Sequence, residues 1–454
     1  MTFNLAGLLS RTQDTINALD SNSNNEQLIM SAYDLSSTDT ACYVETNSDL
    51  PDLFLHPEIP DGFVVYVKDE DRFVVSSGID WLNIDGTPSG VVFPYILWAW
   101  GNNHFGALGL PGTYWTSSPM SVVGGITTWA DISIRKTFSA AIKTDGTLWT
   151  WGQNDTGQLG NGTKTNNNSP TTVIGENLLW VQVSAGSEHV AAIKADGTLW
   201  TWGSGFYGAL GHGSQDGRSS PGTTVGGGDN WSQVSAGTDC VMAVKTDGTL
   251  WTWGENNSFG RLGTGETTSF KRLSPGTTIG GGTNWKQVSY FFSHAAAVKT
   301  DGTLWCWGSN ATGCLGDGTN ITRESPGTTI GGGTTWSQVS AGEYFTAAVK
   351  TDGTLWTWGT NSDGQLGNNT LTGQSSPITT AGGGTTWNQV SVGQGIAGAV
   401  KTDGTLWMWG NNQVGQLGDN TQTRRSSPVT PAGGGTNWSQ VSAGYQVVGA
   451  IQTA

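Results

Sequence analysis

The tetrapeptide Trp-x-Trp-Gly occurs seven times in this chain, with its second tryptophan at Trp100, Trp151, Trp202, Trp253, Trp307, Trp358 and Trp409. The intervals are 51, 51, 51, 54, 51 and 51 residues. A further tryptophan opens a segment of the form W-x-Q-V-S-A-G near Trp129, Trp180, Trp231, Trp285, Trp336, Trp387 and Trp438. Self-similarity at a period near 50 confines the chain to a repeat architecture, because each copy is one supersecondary unit that cannot bury its apolar face alone. The two motifs use 21 of the 23 tryptophans, leaving only Trp81 and Trp115 outside, so tryptophan here is architectural first.

Each unit reads as four short strands: W-x-Q-V-S-A-G, then A-A-I-K or A-A-V-K, then L-W-T-W-G, and a fourth begun by Ser-Pro-x-x-Thr. Thr-Asp-Gly-Thr, as at Thr144 to Thr147, separates the second from the third. Asp-Gly between two apolar runs is a strong hairpin signal, since both central residues must accept φ > 0. No helical periodicity follows Gly90. The repeats begin with a third strand that lacks its hairpin partner, Ile96 to Gly101, and end with a second strand that lacks its own, Val448 to Gln452. Each supplies what the other needs, which predicts a closed ring with one blade completed by both ends and no open edge. The expected fold is therefore all-β, a seven-bladed β-propeller over residues 91–454, preceded by a small α+β attachment module over residues 1–90. In L-W-T-W-G the two tryptophans share a strand face. Blades packed face to face are expected to bury both, each contributing about 4–6 kcal/mol at ~25 cal/mol per Å².

No run of apolar residues approaches the roughly 18–20 needed to span a membrane, and the N-terminus lacks the basic region and apolar core of a secretory signal. Neither membrane insertion nor export is expected. Cys42, Cys240, Cys306 and Cys314 fit no disulfide or metal spacing and read as reduced, inert drift within the repeats. The net charge is −15, but residues 1–90 hold 3 basic and 15 acidic residues against 17 and 20 in the remainder. A near-neutral propeller argues against a nucleic-acid-binding face.

In the N-terminal region, Leu5 to Leu19 has the spacing of a short amphipathic helix, and Glu26 to Tyr33 of a second. Phe63 to Val67, Arg72 to Val75 and Trp81 to Ile84 read as a three-strand meander. Ninety residues divided this way bury little surface alone, so the segment is expected to lean on a partner or on copies of itself.

The repeat resembles that of the regulator of chromosome condensation family, whose members form seven-bladed propellers. The resemblance rests on the Ser-Ala-Gly before the second strand and on the turns Gly157-Gln158-Leu159-Gly160-Asn161-Gly162, Gly208-Ala209-Leu210-Gly211-His212-Gly213, Gly364-Gln365-Leu366-Gly367 and Gly415-Gln416-Leu417-Gly418. Many family repeats carry His at the start of the second strand. Here that position holds Phe138, His189, Cys240, His294, Phe345, Ile396 and Val447. Resemblance to this family implies the fold; the nucleotide exchange and chromatin binding of its eukaryotic members do not follow from it. The meander carrying Gly62, Val64, Tyr66, Val67, Asp69, Ser77, Gly78 and Trp81 resembles small β-modules of bacteriophage tail and fibre proteins.

His56, His104, His189, His212 and His294 show no metal-ligand spacing, and His189 and His294, at equivalent repeat positions, read as packing residues. Asp145, Asp196, Asp247, Asp301, Asp352 and Asp403 are the turn residues of the Asp-Gly hairpins. Gly316 to Asn320 offers calcium-like oxygens but reads as a solvated turn. No catalytic residue, cofactor or metal is expected, and the chain is not read as an enzyme. The variable connection after Leu-Gly collects Lys164, Arg218, Lys271, Arg272, Arg323, Arg424 and Arg425, with Tyr207, Phe259 and Phe270 nearby. These form the candidate ligand-binding rim, its guanidinium forks suited to phosphate or carboxylate.

Taken together, these features predict a bacteriophage virion structural protein, made in the host cytoplasm and placed at the tail or capsid surface as a fibre, appendage or capsid decoration. Residues 1–90 would contact other virion proteins or copies of the chain, and the propeller a host-surface glycan or protein. Two alternatives stand: a cellular protein–protein interaction scaffold of the chromosome-condensation-regulator type, and a glycan-active enzyme with its site in the central channel.

Overall fold

The computed structural model describes residues 96–453 apart from short stretches within connecting loops, and before them only residues 42–44, 64–67, 72–76 and 81–83. The chain divides into two compact units, Met1–Phe93 and Pro94–Ala454.

In the first unit, β1 (Cys42–Val44), β2 (Val64–Val67), β3 (Arg72–Ser76) and β4 (Trp81–Asn83) form one sheet in that order. β2, β3 and β4 are the expected meander; β1 joins in parallel, Tyr43 opposite Tyr66. A three-residue strand leaves no periodicity to read. The two predicted helices lie outside the described residues.

The second unit is a seven-bladed propeller of four-stranded antiparallel sheets. Blade I draws on both ends of the repeat region: Trp438–Ala443, Val447–Gln452, Ile96–Asn102 and Trp115–Ser121. Val448 pairs with Trp100 and Ile451 with Leu97. Blades II to VII begin at Trp129, Trp180, Trp231, Trp285, Trp336 and Trp387, and the four strands of each are called A to D from the centre outward.

Repeated side chains weld each blade to the next. The buried Trp202 donates its indole N–H to the Gln158 carbonyl of the preceding blade at 3.0 Å, and Trp100, Trp151, Trp253, Trp307, Trp358 and Trp409 make the equivalent bond. The Gly-x-Leu-Gly turn is the seat for that indole: Gly160 has φ +63°, and a methyl there would lie 2.6 Å from Trp202 Nε1.

The conserved serine and glutamine of strand A do the same near the centre. Strand A pairs only with strand B, which leaves backbone groups on its inner edge to satisfy. Ser133, Ser184, Ser235, Ser289, Ser340, Ser391 and Ser442 each accept a backbone N–H from the following blade. Gln182, Gln233, Gln287, Gln338 and Gln389 accept from the valine N–H of the next strand A in the same way. Blade II carries Asp131 at this position, accepting from Val183 N and from Gln440 Nε2.

Two expectations about the strands are corrected. The first tryptophan of each Trp-x-Trp-Gly is half-buried while the second is fully buried. In six blades the fixed lysine of strand B covers it, as Lys194 does Trp200 at 3.4 Å from the ring centroid. Strand D also starts before Ser-Pro, so that Pro221 lies inside Arg218–Thr223. D is an edge strand, and a missing N–H costs nothing on its open side.

Candidate interaction face

The A–B and C–D loops emerge at one end of the blades, and the Asp-Gly turns between B and C at the other. At the turn end every blade from II to VII repeats one arrangement. Asp196 accepts from Thr198 N and Oγ1, and Trp200 Nε1 donates to Thr198 Oγ1. The threonine hydroxyl and backbone hold the Asp196 carboxyl below its usual range.

At the loop end the repeats diverge. Where most blades have Ala-Gly after the strand A serine, blade II has Ile134-Arg135-Lys136 and blade V has Tyr290-Phe291-Phe292. These departures meet across the ring. Arg135 is 3 % exposed, lies 3.8 Å over the Phe291 ring, and donates from Nη2 to the Phe291 carbonyl at 2.7 Å. Tyr445 of blade I stacks on Phe291 with centroids 5.5 Å apart, and Lys136 lies 5.6 Å from the Tyr445 ring centroid. Burial pulls the Arg135 guanidinium down to about 10, which leaves it protonated at neutral pH.

Beside this plug, Arg261 stands where other repeats have Gln, Ala or, in blade V, Cys314. Its guanidinium meets Asp239 at 3.3 Å and the Tyr290 hydroxyl at 3.1 Å, and it pairs with Glu255. Burial opposes its charge, yet Tyr290, Cys240 and Asp239 hold it above the usual arginine range. Burial raises the Asp239 carboxyl, and the Arg261 charge partly offsets this.

Between blades VI, VII and I lies a hollow of about 300 Å³ lined by Glu343, Tyr344, Asp363, Asn411, Gln413, Tyr445 and neighbouring residues. Asn411 donates to Asp363 at 3.1 Å. Burial raises the Glu343 carboxyl, opposed by a hydrogen bond from Gln394. Phe206, Phe259 and Tyr344 are exposed on this end of the molecule, and Phe206 meets Tyr207 edge-on at 4.9 Å.

The predicted basic rim lies around the outer edge of this same end. Arg218, Arg272, Arg323 and Arg425 share one register position, each opposite the glycine of Trp-x-Trp-Gly. Their guanidinium groups turn onto their own blades: Arg323 to Asp317 and Arg425 to Asp419, both at 2.8 Å, Arg218 to the Thr223 carbonyl, and Arg272 to the Thr252 and Thr277 carbonyls. Arg424 donates to the Ser362 carbonyl. Lys271 joins Tyr207, lying 4.2 Å from the Phe206 ring centroid and 5.4 Å from that of Tyr207. Lys164 is exposed in its loop, and Phe270 is partly buried against the core holding Trp285 and Trp307. The central group of Arg135, Phe291, Tyr445, Arg261 and Asp239 was missed from sequence. Its signal was there in the repeat, as the breaks in Ser-Ala-Gly and Gly-Gln-Leu-Gly.

His189 and His294 are buried, and burial lowers them to about 3 and about 4. Cys240, Cys306 and Cys314 are buried free thiols, Cys240 and Cys314 pushed up to about 12 by burial. Among the described residues no group of three or more His, Cys, Asp or Glu is placed to hold a metal ion, and no helix is long and apolar enough to cross a membrane.

Residues 96–450 match the family described as the RCC1-like domain. The ultraviolet-B receptor UVR8 of Arabidopsis thaliana is 31 % identical over 303 residues, covering 66 % of this chain and 68 % of the receptor. The mitochondrial RCC1 domain-containing protein RUG3 of the same plant is 29 % identical over 62 % of this chain and 65 % of its own length. Among solved structures, human WBSCR16 superposes with a TM-score of 0.71 at 20 % identity, covering 79 % of this chain and 99 % of that one. Yeast RCC1 (Prp20), solved bound to Kap60, gives 0.70 at 18 % identity, covering 79 % and 89 %. These relatives are cellular proteins, which overturns the expected bacteriophage virion function, the virion location and the virion partners. A family match over residues 96–450 outweighs the short meander on which that reading rested.

Proposed function

The chain belongs to the RCC1-like domain family, and from that premise we propose that its propeller is a protein-binding scaffold whose partner docks on the end formed by the A–B and C–D loops. One observation carries this reading: the turn end repeats the same residues in six blades, whereas the loop end differs in every blade. A surface with one partner needs no sevenfold sameness, and specificity is built from differing neighbours. The loop end has the composition of a protein interface, with exposed aromatics beside charged groups. Phe206, Phe259 and Tyr344 are among its exposed rings, and Glu188, Asp239, Glu343 and Asp363 among its carboxylates. A yeast relative was solved bound to Kap60, and another study of that propeller addresses its binding to Gsp1p and histones. Those partners are theirs; that a protein of this fold is used to bind other proteins is what supports the reading here.

The test compares two sets of variants in affinity capture with quantitative mass spectrometry. Glu188→Lys with Tyr344→Ala alters the loop end; Asp352→Lys with Asp403→Lys alters the turn end. Partners lost only from the first set support the proposal, and partners lost only from the second overturn it.

A further inference from the structure

We propose that the hollow between blades VI, VII and I is a socket for a guanidinium group, an arginine side chain presented by the protein partner. This deepens the reading above and rests on it for the partner. The same end of the propeller already holds two guanidinium groups of its own. Arg261 is held by the carboxylates of Asp239 and Glu255 and by the Tyr290 hydroxyl. Arg135 is held by the Phe291 ring and carbonyl. The recurring host is thus a carboxylate or carbonyl acceptor beside an aromatic side chain, met through its ring by Arg135 and through its hydroxyl by Arg261.

The hollow has both host parts and no such guest. Glu343 and Asp363 supply carboxylates, and Tyr344 and Tyr445 supply rings. At the repeat position of Arg261, blades VI and VII carry the neutral Gln365 and Gln416, whose side-chain oxygens accept from Asp363 N and Val414 N. No lysine or arginine is among the lining residues. The nearby cations are occupied: Arg135 by Phe291, Arg424 by the Ser362 carbonyl, and Lys136 at 5.6 Å from the Tyr445 ring centroid. A planar fork that bridges carboxylates and stacks on tyrosine fits this lining better than a compact ammonium. Arginine is also among the residues most often found as an interface anchor.

The experiment uses the full chain and three blocked tripeptides, acetyl-Gly-Xaa-Gly-amide with Xaa arginine, citrulline or lysine, followed by saturation-transfer NMR and titration. The arginine peptide is expected to bind with a Kd of about 1 mM. Citrulline, which keeps the shape without the charge, should bind at least about tenfold more weakly, as should lysine. Glu343→Gln with Asp363→Asn should weaken the arginine peptide by a similar factor, while Asp301→Asn at the turn end leaves it unchanged. Equal binding of arginine and citrulline, or of arginine and lysine, overturns the socket, and the wild-type comparison decides this even where a variant folds poorly. Insensitivity of a folded Glu343→Gln/Asp363→Asn protein overturns it too. If the peptide is held here while partner capture depends on the turn end, the socket stands and the docking face falls.

Discussion

Arg135 of blade II reaches across the centre of the ring to Phe291 of blade V, stacking 3.8 Å over its ring and donating to its carbonyl at 2.7 Å. The indole, serine and glutamine bonds run neighbour to neighbour, whereas this contact and the stacking of Tyr445 from blade I on the same Phe291 tie the ring across its centre. Arg135→Met keeps much of the stem but removes the charged donor to the Phe291 carbonyl, which keeps only its bonds from Thr238 N and Oγ1. It is expected to cost about 1–3 kcal/mol. Urea unfolding measures it, and an unchanged midpoint means the plug is not structural.

Gly160 seats the Trp202 indole with φ +63° and no room for a methyl group. Gly160→Ala is expected to destabilise by about 2–4 kcal/mol, combining left-handed strain with overpacking. Gly433, at φ +72° with open space around it, is the control. Its alanine variant should lose only about 1 kcal/mol. Thermal melts of the two proteins separate close packing from backbone conformation.

Burial holds His189 at about 3 and His294 at about 4, against an ordinary 6.5. Below pH 6.5 the unfolded chain therefore binds protons that the folded chain refuses, and stability falls as pH drops toward those values. Each histidine contributes a slope of up to about 1.4 kcal/mol per pH unit in that window. Phe138 and Phe345 occupy the same repeat position in blades II and VI. His189→Phe with His294→Phe should fold and show a flatter acid limb between pH 6 and about 4. Chemical unfolding across that range checks it; an unchanged slope would exclude buried neutral histidine.

Asp131 interrupts the ring of glutamines, and burial raises its carboxyl. A raised acid loses folding free energy as pH climbs through its folded value. Asp131→Gln offers Val183 both a carbonyl acceptor and an amide donor, as Gln389 does Val441. The variant is expected to gain about 1 kcal/mol near neutral pH. The gain should shrink in acid, where the native carboxyl takes up its proton. Melting temperatures at pH 7 and pH 4 test both statements.

The ring, its blade number and its closure were all legible from the spacing of Trp-x-Trp-Gly and from the two unpartnered end strands. Repetition amplifies such a signal, because seven imperfect copies report one geometry. For the basic side chains of the variable connection, register was legible and contact was not. Arg323 and Arg425 do share a register position, but their forks close on Asp317 and Asp419 of their own blades. Spacing along a strand predicts where a side chain starts and not which acceptor it finds. The first tryptophan of each pair was expected to be fully buried; it is half-buried, and in six blades a lysine covers it.

Sequence by itself determined the repeat, the strands, the hairpin turns and the fact that the ends must meet. These depend on local periodicity and on backbone pairing, both of which recur every 51 residues or so. Tertiary structure alone decided which loops converge. Arg135 and Phe291 lie 156 residues apart in the chain and meet only because ring closure brings blades II and V to one centre. Residues that break a repeat carry no periodic signal, so their partners are set by the curvature of the closed ring and not by any pattern along it.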